Sequence, residues 1–293
     1  MHGDILPQPA IATVARTHEQ RTKMTKRTPG LPDRPLPELA TVNQEPAEPT
    51  YRRLAWLVGN VSRLLGRREW HGQEKVPQTG GVLVVANHTS YYDPLAIGEY
   101  LIWSGRWPRY LGKVAIFRTP GLGWLARACG QFPVDRFTEK AVDALLAAEA
   151  ALVEGKCVAM YPAGTLTHDP DGWPMTAKSG AARLALETGV PVVPVACWGA
   201  HDFMPPHRKG FPFVFSRRHR FQVACGDPVS LDDLRVQPVT AEVLAEASTR
   251  IMDAITDLVA GLRGVPAPSE RWDRKVAART PVRRGQTGTE PVA

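Results

Sequence analysis

Nowhere does the 293-residue chain approach the roughly 18 consecutive apolar residues that span a bilayer. The apolar stretch Val190 to Ala200 is broken by Pro191 and Pro194, so any membrane contact is expected to be peripheral or shallow. Cysteine is scarce. Cys129, Cys157, Cys197 and Cys225 lie far apart without a C-x-x-C pair, which excludes zinc-knuckle spacing and a small disulfide scaffold and fits a reducing compartment. No basic segment followed by an apolar core opens the chain, so no secretory signal is read there. The G-x-S-x-G elbow and the Walker loop are both missing, which removes the commonest serine-hydrolase and NTPase readings. Gly121 to Ala126 fits G-x-G-x-x-A but follows Arg118-Thr119-Pro120 and no strand, so a dinucleotide site lacks its context.

What is present can fold: 43% of residues are hydrophobic and 22% charged. Lys and Arg number 36 against 29 Asp and Glu, a net charge of +7. That excess fits an anionic partner, whether nucleic acid, membrane surface or phosphorylated substrate.

Residues 1–50 are rich in Pro, Thr and mixed charge without a period that would bury a face, and are expected to be a disordered Pro-rich arm. Residues 51–68 read as an amphipathic helix. Leu54, Val58, Val61 and Leu65 form its stripe, broadened by Trp56, Leu57 and Leu64, with Arg52, Arg63 and Arg67 on the other side. Such a helix suits a lipid interface, or equally an ordinary core contact with its arginines in water. Short apolar runs at Val82 to Ala86, which is rich in β-branched residues, and at Cys157 to Tyr161, Val190 to Ala196 and Phe221 to Cys225 read as buried strands. Helical patterns over Glu139 to Glu154 and Ala177 to Glu187 separate some of them, which argues an α/β domain over 51–264 closed by a helix at 240–264. Residues 265–293 are expected to be a flexible basic tail. His168-Asp169 and His201-Asp202 fall in Pro- and Gly-bearing loops and read as surface pairs.

The densest chemical signal follows the first buried run, at Asn87-His88-Thr89-Ser90-Tyr91-Tyr92-Asp93-Pro94. A histidine at a strand end with a carboxylate five residues on suits general-base chemistry, because the carboxylate can fix the tautomer and stabilise the imidazolium. On one helix the two side chains would diverge by about 140°, so they meet only if the chain turns between them. The alternative is structural: Asp93 as a helix N-cap before Pro94, with His88 bonded to a loop carbonyl.

Asn87-His88 with Asp93 resembles the H-x4-D signature of the glycerolipid acyltransferases, which include the 1-acyl-sn-glycerol-3-phosphate acyltransferases. Gly130 to Arg136 resembles the family's second block, Tyr161 to Thr167 the third and Val190 to Val195 the fourth, and these blocks occupy 70–231. The resemblance implies a glycerol-3-phosphate acyltransferase-like fold, a mixed and mostly parallel sheet flanked by helices, with the N-terminal amphipathic helix touching membrane. It implies acyl transfer from acyl-CoA or acyl carrier protein to lysophosphatidic acid at the cytoplasmic face of the cell membrane. His88 would be the general base and Asp93 its orienting carboxylate. Arg136 and Lys113 would grip the acceptor phosphate, and Tyr161, Pro162, Ala163, Gly164 and Thr165 would form the acceptor and oxyanion region. No metal, organic cofactor or nucleic acid is implied.

The third block departs from the family's Phe-Pro-Glu-Gly-Thr-Arg. Leu166 is similar to the Tyr-Pro-Glu-Gly-Thr-Leu-Thr form of actinobacterial relatives, whereas Ala163 removes a glutamate. The alanine leaves open another acceptor (glycerol-3-phosphate, another lysophospholipid or a glycolipid) or a weakly active lipid-binding protein.

Overall fold

The computed structural model describes residues 37–134, 140–206 and 219–281. Helix α1 spans Pro49–Leu65, starting with Pro in its first turn and ending at Gly66. Strand β1, Arg67–His71, follows at once, so Arg67 and Arg68 belong to the sheet and not to the helix as the periodicity suggested. The helical period runs on through these residues, but pairing of Arg67 with Arg220 fixes them as an edge strand.

The remaining sheet consists of β2 (Val82–Ala86), β3 (Pro108–Lys113), β4 (Phe132–Val134), β5 (Cys157–Met160), β6 (Val192–Trp198) and β7 (Arg220–Cys225). Their order is β1-β7-β6-β2-β5-β3-β4. Every pairing is parallel except β6 with β7, which is antiparallel. The mixed, mostly parallel sheet is thus as expected. Central β2 has all five side chains buried because both faces are covered. Leu83 and Val85 pack with Val158 and Ala196 under α5 (Lys140–Val153), α6 (Gly180–Thr188) and α7 (Ala241–Arg263). Val82 and Val84 pack with Ala159 and Val195 under α2 (Asp93–Trp103). Two short helices, α3 (Val114–Arg118) and α4 (Leu122–Ala128), lie between β3 and β4. The closing helix α7 is capped by the Thr240 side chain and stopped by Gly264 at positive φ, as its sequence implied.

Two expectations for the arms are corrected. Residues 37–48 pack on the domain: the Asn43 side chain donates to Ile102 O at 2.9 Å, and Glu45 accepts from the Trp107 backbone at 2.7 Å. A Pro-rich segment needs no hydrophobic period when buried polar anchors hold it. Likewise residues 270–281 form the hairpin β8 (Glu270–Asp273) and β9 (Ala278–Pro281) instead of a loose tail.

Helix α1 shows a third difference. Its buried residues are Tyr51, Ala55, Gly59 and Ser62, while Trp56 (63% exposed), Leu57, Val61 and Leu64 (74%) face outward. Beyond Tyr51, small residues win the inner face because α2 comes close: a Cβ on Gly59 would sit 2.6 Å from the Trp103 ring.

Candidate active site

Parallel strands β2, β5 and β3 all end on the same side of the sheet, so their C-terminal loops converge. The loop after β2 carries His88. Its chain turns back before α2, and Asp93 becomes the first helical residue with its carboxylate directed at the preceding loop. Asp93 Oδ2 accepts from the Thr89 and Ser90 backbone N–H groups at 2.6 and 2.8 Å and lies 2.9 Å from His88 Nδ1. The alternative of a helix cap is therefore not what forms: no side chain caps α2, and Asp93 binds the histidine. Asp93 is fully buried, whereas the His88 side chain is 15% exposed. An ionised carboxylate only accepts, so Nδ1 carries the proton in the neutral ring and Nε2 keeps a lone pair for a substrate proton.

The third block forms a tight turn on the neighbouring strand end. Gly164 N–H donates to Tyr161 O at 2.8 Å, and Gly164 adopts positive φ. Tyr161 stacks on the His88 ring with centroids 4.0 Å apart and 14° between planes, and Tyr110 stacks beyond it at 6.3 Å. Burial pushes both phenols well above their ordinary pKa, which leaves them neutral packing groups. Thr167 N–H donates to His88 O at 2.7 Å, tying the third-block loop to the histidine backbone. On the other side, the Asn87 side chain makes two 2.8 Å bonds with the Cys197 backbone on β6. Burial and then the nearby Asp93 carboxylate push the Cys197 thiol far above its normal range, so it is no thiolate nucleophile.

His88, Tyr161, Thr165 and Leu166 open onto a cavity of 480 Å³, within the span of about 300–1,000 Å³ usual for ligand pockets. Apolar side chains of α1, α2, α3 and α4 make most of its wall, including Leu54, Val58, Ile102, Phe117 and Leu125. Lys113 also lines it, exposed at the end of β3 and in register with Val134. Arg136 lies outside the described residues. Pro162 is buried and Ala163 half-buried, with Lys178 N–H donating to Pro162 O at 2.9 Å and the Lys178 side chain lying over Gly164. The structure thus brings together His88, Asp93, Tyr161, Thr165 and Lys113.

Sequence reasoning did not find Glu99, a buried carboxylate in the cavity wall that pairs with Arg68 at 3.0 Å and accepts from Ser62 at 2.8 Å. Nor did it find the two amides on Asp93. The polar residue on an otherwise apolar helix was the available signal for Glu99. Asp169, read as a surface residue, is buried and paired with Arg279. Among the described residues, no cluster of His, Cys, Asp and Glu could hold a metal ion, and no helix is long and apolar enough to cross a membrane.

Residues 67–198 match the family model described as Acyltransferase. The chain is similar to a chloroplastic 1-acyl-sn-glycerol-3-phosphate acyltransferase of Brassica napus, 32% identical over 141 residues, which are 47% of this chain and 39% of that protein. It is also similar to a 1-acyl-sn-glycerol-3-phosphate acyltransferase of Streptococcus pneumoniae, 26% identical over 58% of each chain. The matched region spans well under two thirds of these relatives. The crystal structure of the 1-acyl-sn-glycerophosphate acyltransferase from Thermotoga maritima has the same fold, with a TM-score of 0.57 and 24% identity over 74% of this chain and 81% of that one.

Proposed function

We propose that the chain is a glycerolipid acyltransferase, which transfers an acyl chain from a thioester donor, acyl-CoA or acyl carrier protein, to the free hydroxyl of lysophosphatidic acid; the match of residues 67–198 to the Acyltransferase family model supports this. The observation that carries this reading is the His88–Asp93 pair at the mouth of an apolar cavity. His88 Nε2 takes the hydroxyl proton as the oxygen attacks the thioester carbonyl. The C–O bond forms, the C–S bond breaks, and the proton passes to the departing thiolate. Asp93 holds the ring and stabilises the imidazolium. Tyr161 fixes the plane of the ring by stacking, and the backbone N–H groups of Ala163 and Thr165 in the turn are the donors for the oxyanion, since Pro162 has none and that of Gly164 bonds Tyr161 O. The acyl chain occupies the cavity, and Lys113 with Arg136 meets the acceptor phosphate. The chemistry calls for no metal or organic cofactor. The test is thioester-dependent acylation of lysophosphatidic acid by the full chain. Turnover that requires both substrates supports the reading, and hydrolysis without an acylated product counts against it.

Ala163 favours a second reading, a different acceptor or a lipid-binding protein of low turnover. Glutamate here would stand beside Gly164, over which the Lys178 side chain lies. Ala163→Glu is expected to raise acylation of lysophosphatidic acid several-fold; equal or lower turnover means that the alanine is no defect.

The outward face of α1 supports peripheral attachment to the cytoplasmic face of the membrane. Exposed Trp56, Leu57 and Leu64 sit beside exposed Arg52, Arg53 and Arg63, and Trp124 (66% exposed) stands on α4, a helix that shares the cavity wall with α1 through Leu122 and Leu125. This combination suits the boundary of an anionic bilayer. Sedimentation with anionic liposomes is expected to fall as salt rises and to drop at least several-fold in a Trp56→Glu/Leu64→Glu variant. Binding indifferent to both removes α1 from the membrane contact.

A further inference from the structure

Residues 270–281 form a two-stranded hairpin, a unit that is marginal by itself and persists only by docking. It docks on the loop that follows the third block. Arg279 makes a two-point contact with Asp169, Nε to Oδ2 at 2.7 Å and Nη2 to Oδ1 at 2.8 Å, and reaches Asp171 at 2.6 Å. The Asp169 side chain is 1% exposed. Trp272 forms a parallel bridge with Met175, and Trp272 O accepts from Thr176 N–H at 3.0 Å. From Asp169 the bonds continue inward. Its N–H donates to Thr167 Oγ1 at 3.1 Å, that hydroxyl donates to Trp173 O at 2.6 Å, and Thr167 N–H donates to His88 O at 2.7 Å.

We propose that Asp169 and Arg279 are positioning residues: through Thr167, the C-terminal hairpin sets the third-block loop against the backbone of His88 and so holds the histidine and the turn at Pro162 to Thr165 in mutual register. The inference rests on the acyl-transfer reading for its kinetic consequence but not for the contact itself. A hydrogen bond to the carbonyl of His88 fixes where that ring starts, and displacement of a base by about 1 Å costs up to about 100-fold in rate. The carboxyl of Asp169 agrees with a maintained ion pair: burial pushes its pKa up, but Arg279 and the Asp171 and Trp173 amides outweigh burial and leave it below the ordinary value. Neither residue lines the cavity. Their effect therefore passes through the loop.

Arg279→Ala, Arg279→Lys and Asp169→Asn in the full chain test the proposal. In Arg279→Ala, kcat is expected to fall about tenfold while the KM values for donor and acceptor change less than twofold, since the cavity and Lys113 are untouched. Arg279→Lys should recover part of the loss, because one of the two contacts with Asp169 survives. Amide hydrogen exchange supplies the second arm. The Thr167 amide is expected to exchange at least tenfold faster in Arg279→Ala and in Asp169→Asn, with β2 and α7 as protected as in the parent. An unchanged Thr167 amide, or a kcat that falls only at temperatures where α7 also loses protection, overturns the proposal. A parent that does not turn over the thioester defeats the acyl-transfer reading alone, and the exchange arm then decides whether the hairpin holds the loop.

Discussion

His88→Ala is expected to lower thioester-dependent acylation by about 10²–10⁴-fold, the span that a positioned general base contributes. The loss should fall on kcat, because the proton is taken only as the hydroxyl attacks, whereas the apolar wall that binds the acyl chain remains. Asp93→Asn should come close to it. The asparagine side chain offers one acceptor and one donor group where Asp93 now accepts from His88, Thr89 and Ser90 through a single oxygen. If the amide NH₂ faces the imidazole, Nδ1 must accept and the proton moves to Nε2, which is then the wrong tautomer for a base. Release of free thiol from acyl-CoA, with lysophosphatidic acid in excess, measures both variants. A His88→Ala variant that keeps more than a tenth of the parent rate, with unchanged far-UV dichroism, removes His88 from the reaction. Tyr161→Ala is the milder companion. It deletes the stack at 4.0 Å without touching a proton, so its rate should fall less than that of either dyad variant.

The strands that could be read from the sequence are those buried on both faces. β2, β5, β6 and β7 are written as largely apolar runs because helices or loops cover them, and the helices between them show a one-sided apolar period. β1, β3 and β4 were missed: β1 and β4 lie at the sheet edges, and β3, though interior, is written Pro-Arg-Tyr-Leu-Gly-Lys and is fully buried only at Pro108 and Arg109. β1 reads Arg-Arg-Glu-Trp-His, a sequence that carries no burial signal because an edge strand is largely solvated, and β4 is only three residues long. The dyad was legible because its two members are five residues apart and only a turn can join them. Tyr161 was visible as a block residue, but its stack on His88 depends on β2 and β5 being neighbours. Contacts between distant segments leave no local pattern: Asp169 and Arg279 are separated by 110 positions, and Glu99 meets a strand and a helix from an earlier part of the chain. The inner face of α1 was legible only in part for the same reason: Leu54 and Val58 do face the cavity, while Val61 is exposed. Hydrophobic periodicity ranks Leu and Val as the inner residues, whereas close approach of Trp103 selects Gly59 and a buried carboxylate selects Ser62.

That buried carboxylate carries the second large effect. Arg68→Ala is expected to destabilise the fold by about 3–5 kcal/mol at pH 8, where Glu99 is ionised, the cost of leaving one partner of a buried pair alone. Glu99 sits between α1 and α2, 5% exposed, with Arg68 Nε at 3.0 Å and Ser62 Oγ at 2.8 Å from both carboxylate oxygens. Burial pushes its pKa up to about 7 from 4.5, against the opposing pull of Arg68 and Ser62. Desolvation therefore wins even with the cation in contact. The linkage follows from that sign. Below 4.5 both folded and unfolded chains hold the proton; between 4.5 and about 7 only the folded chain does. Stability from this group is thus fully present below 4.5 and is lost as pH rises through about 7, a change on the order of 3 kcal/mol. Glu99→Gln should flatten that part of the dependence, and thermal unfolding of both chains from pH 5 to pH 8 reads it. A parent whose midpoint rises over the same interval relative to Glu99→Gln contradicts a raised pKa. Replacing both partners, Arg68→Met with Glu99→Leu, should cost far less than Arg68→Ala because no charge is then left in the wall. The pair also sits where α1 closes the cavity, so the same substitutions report on function. Arg68→Ala should loosen α1 and raise the KM of the acyl donor, since Leu54 and Val58 of that helix form part of the cavity wall.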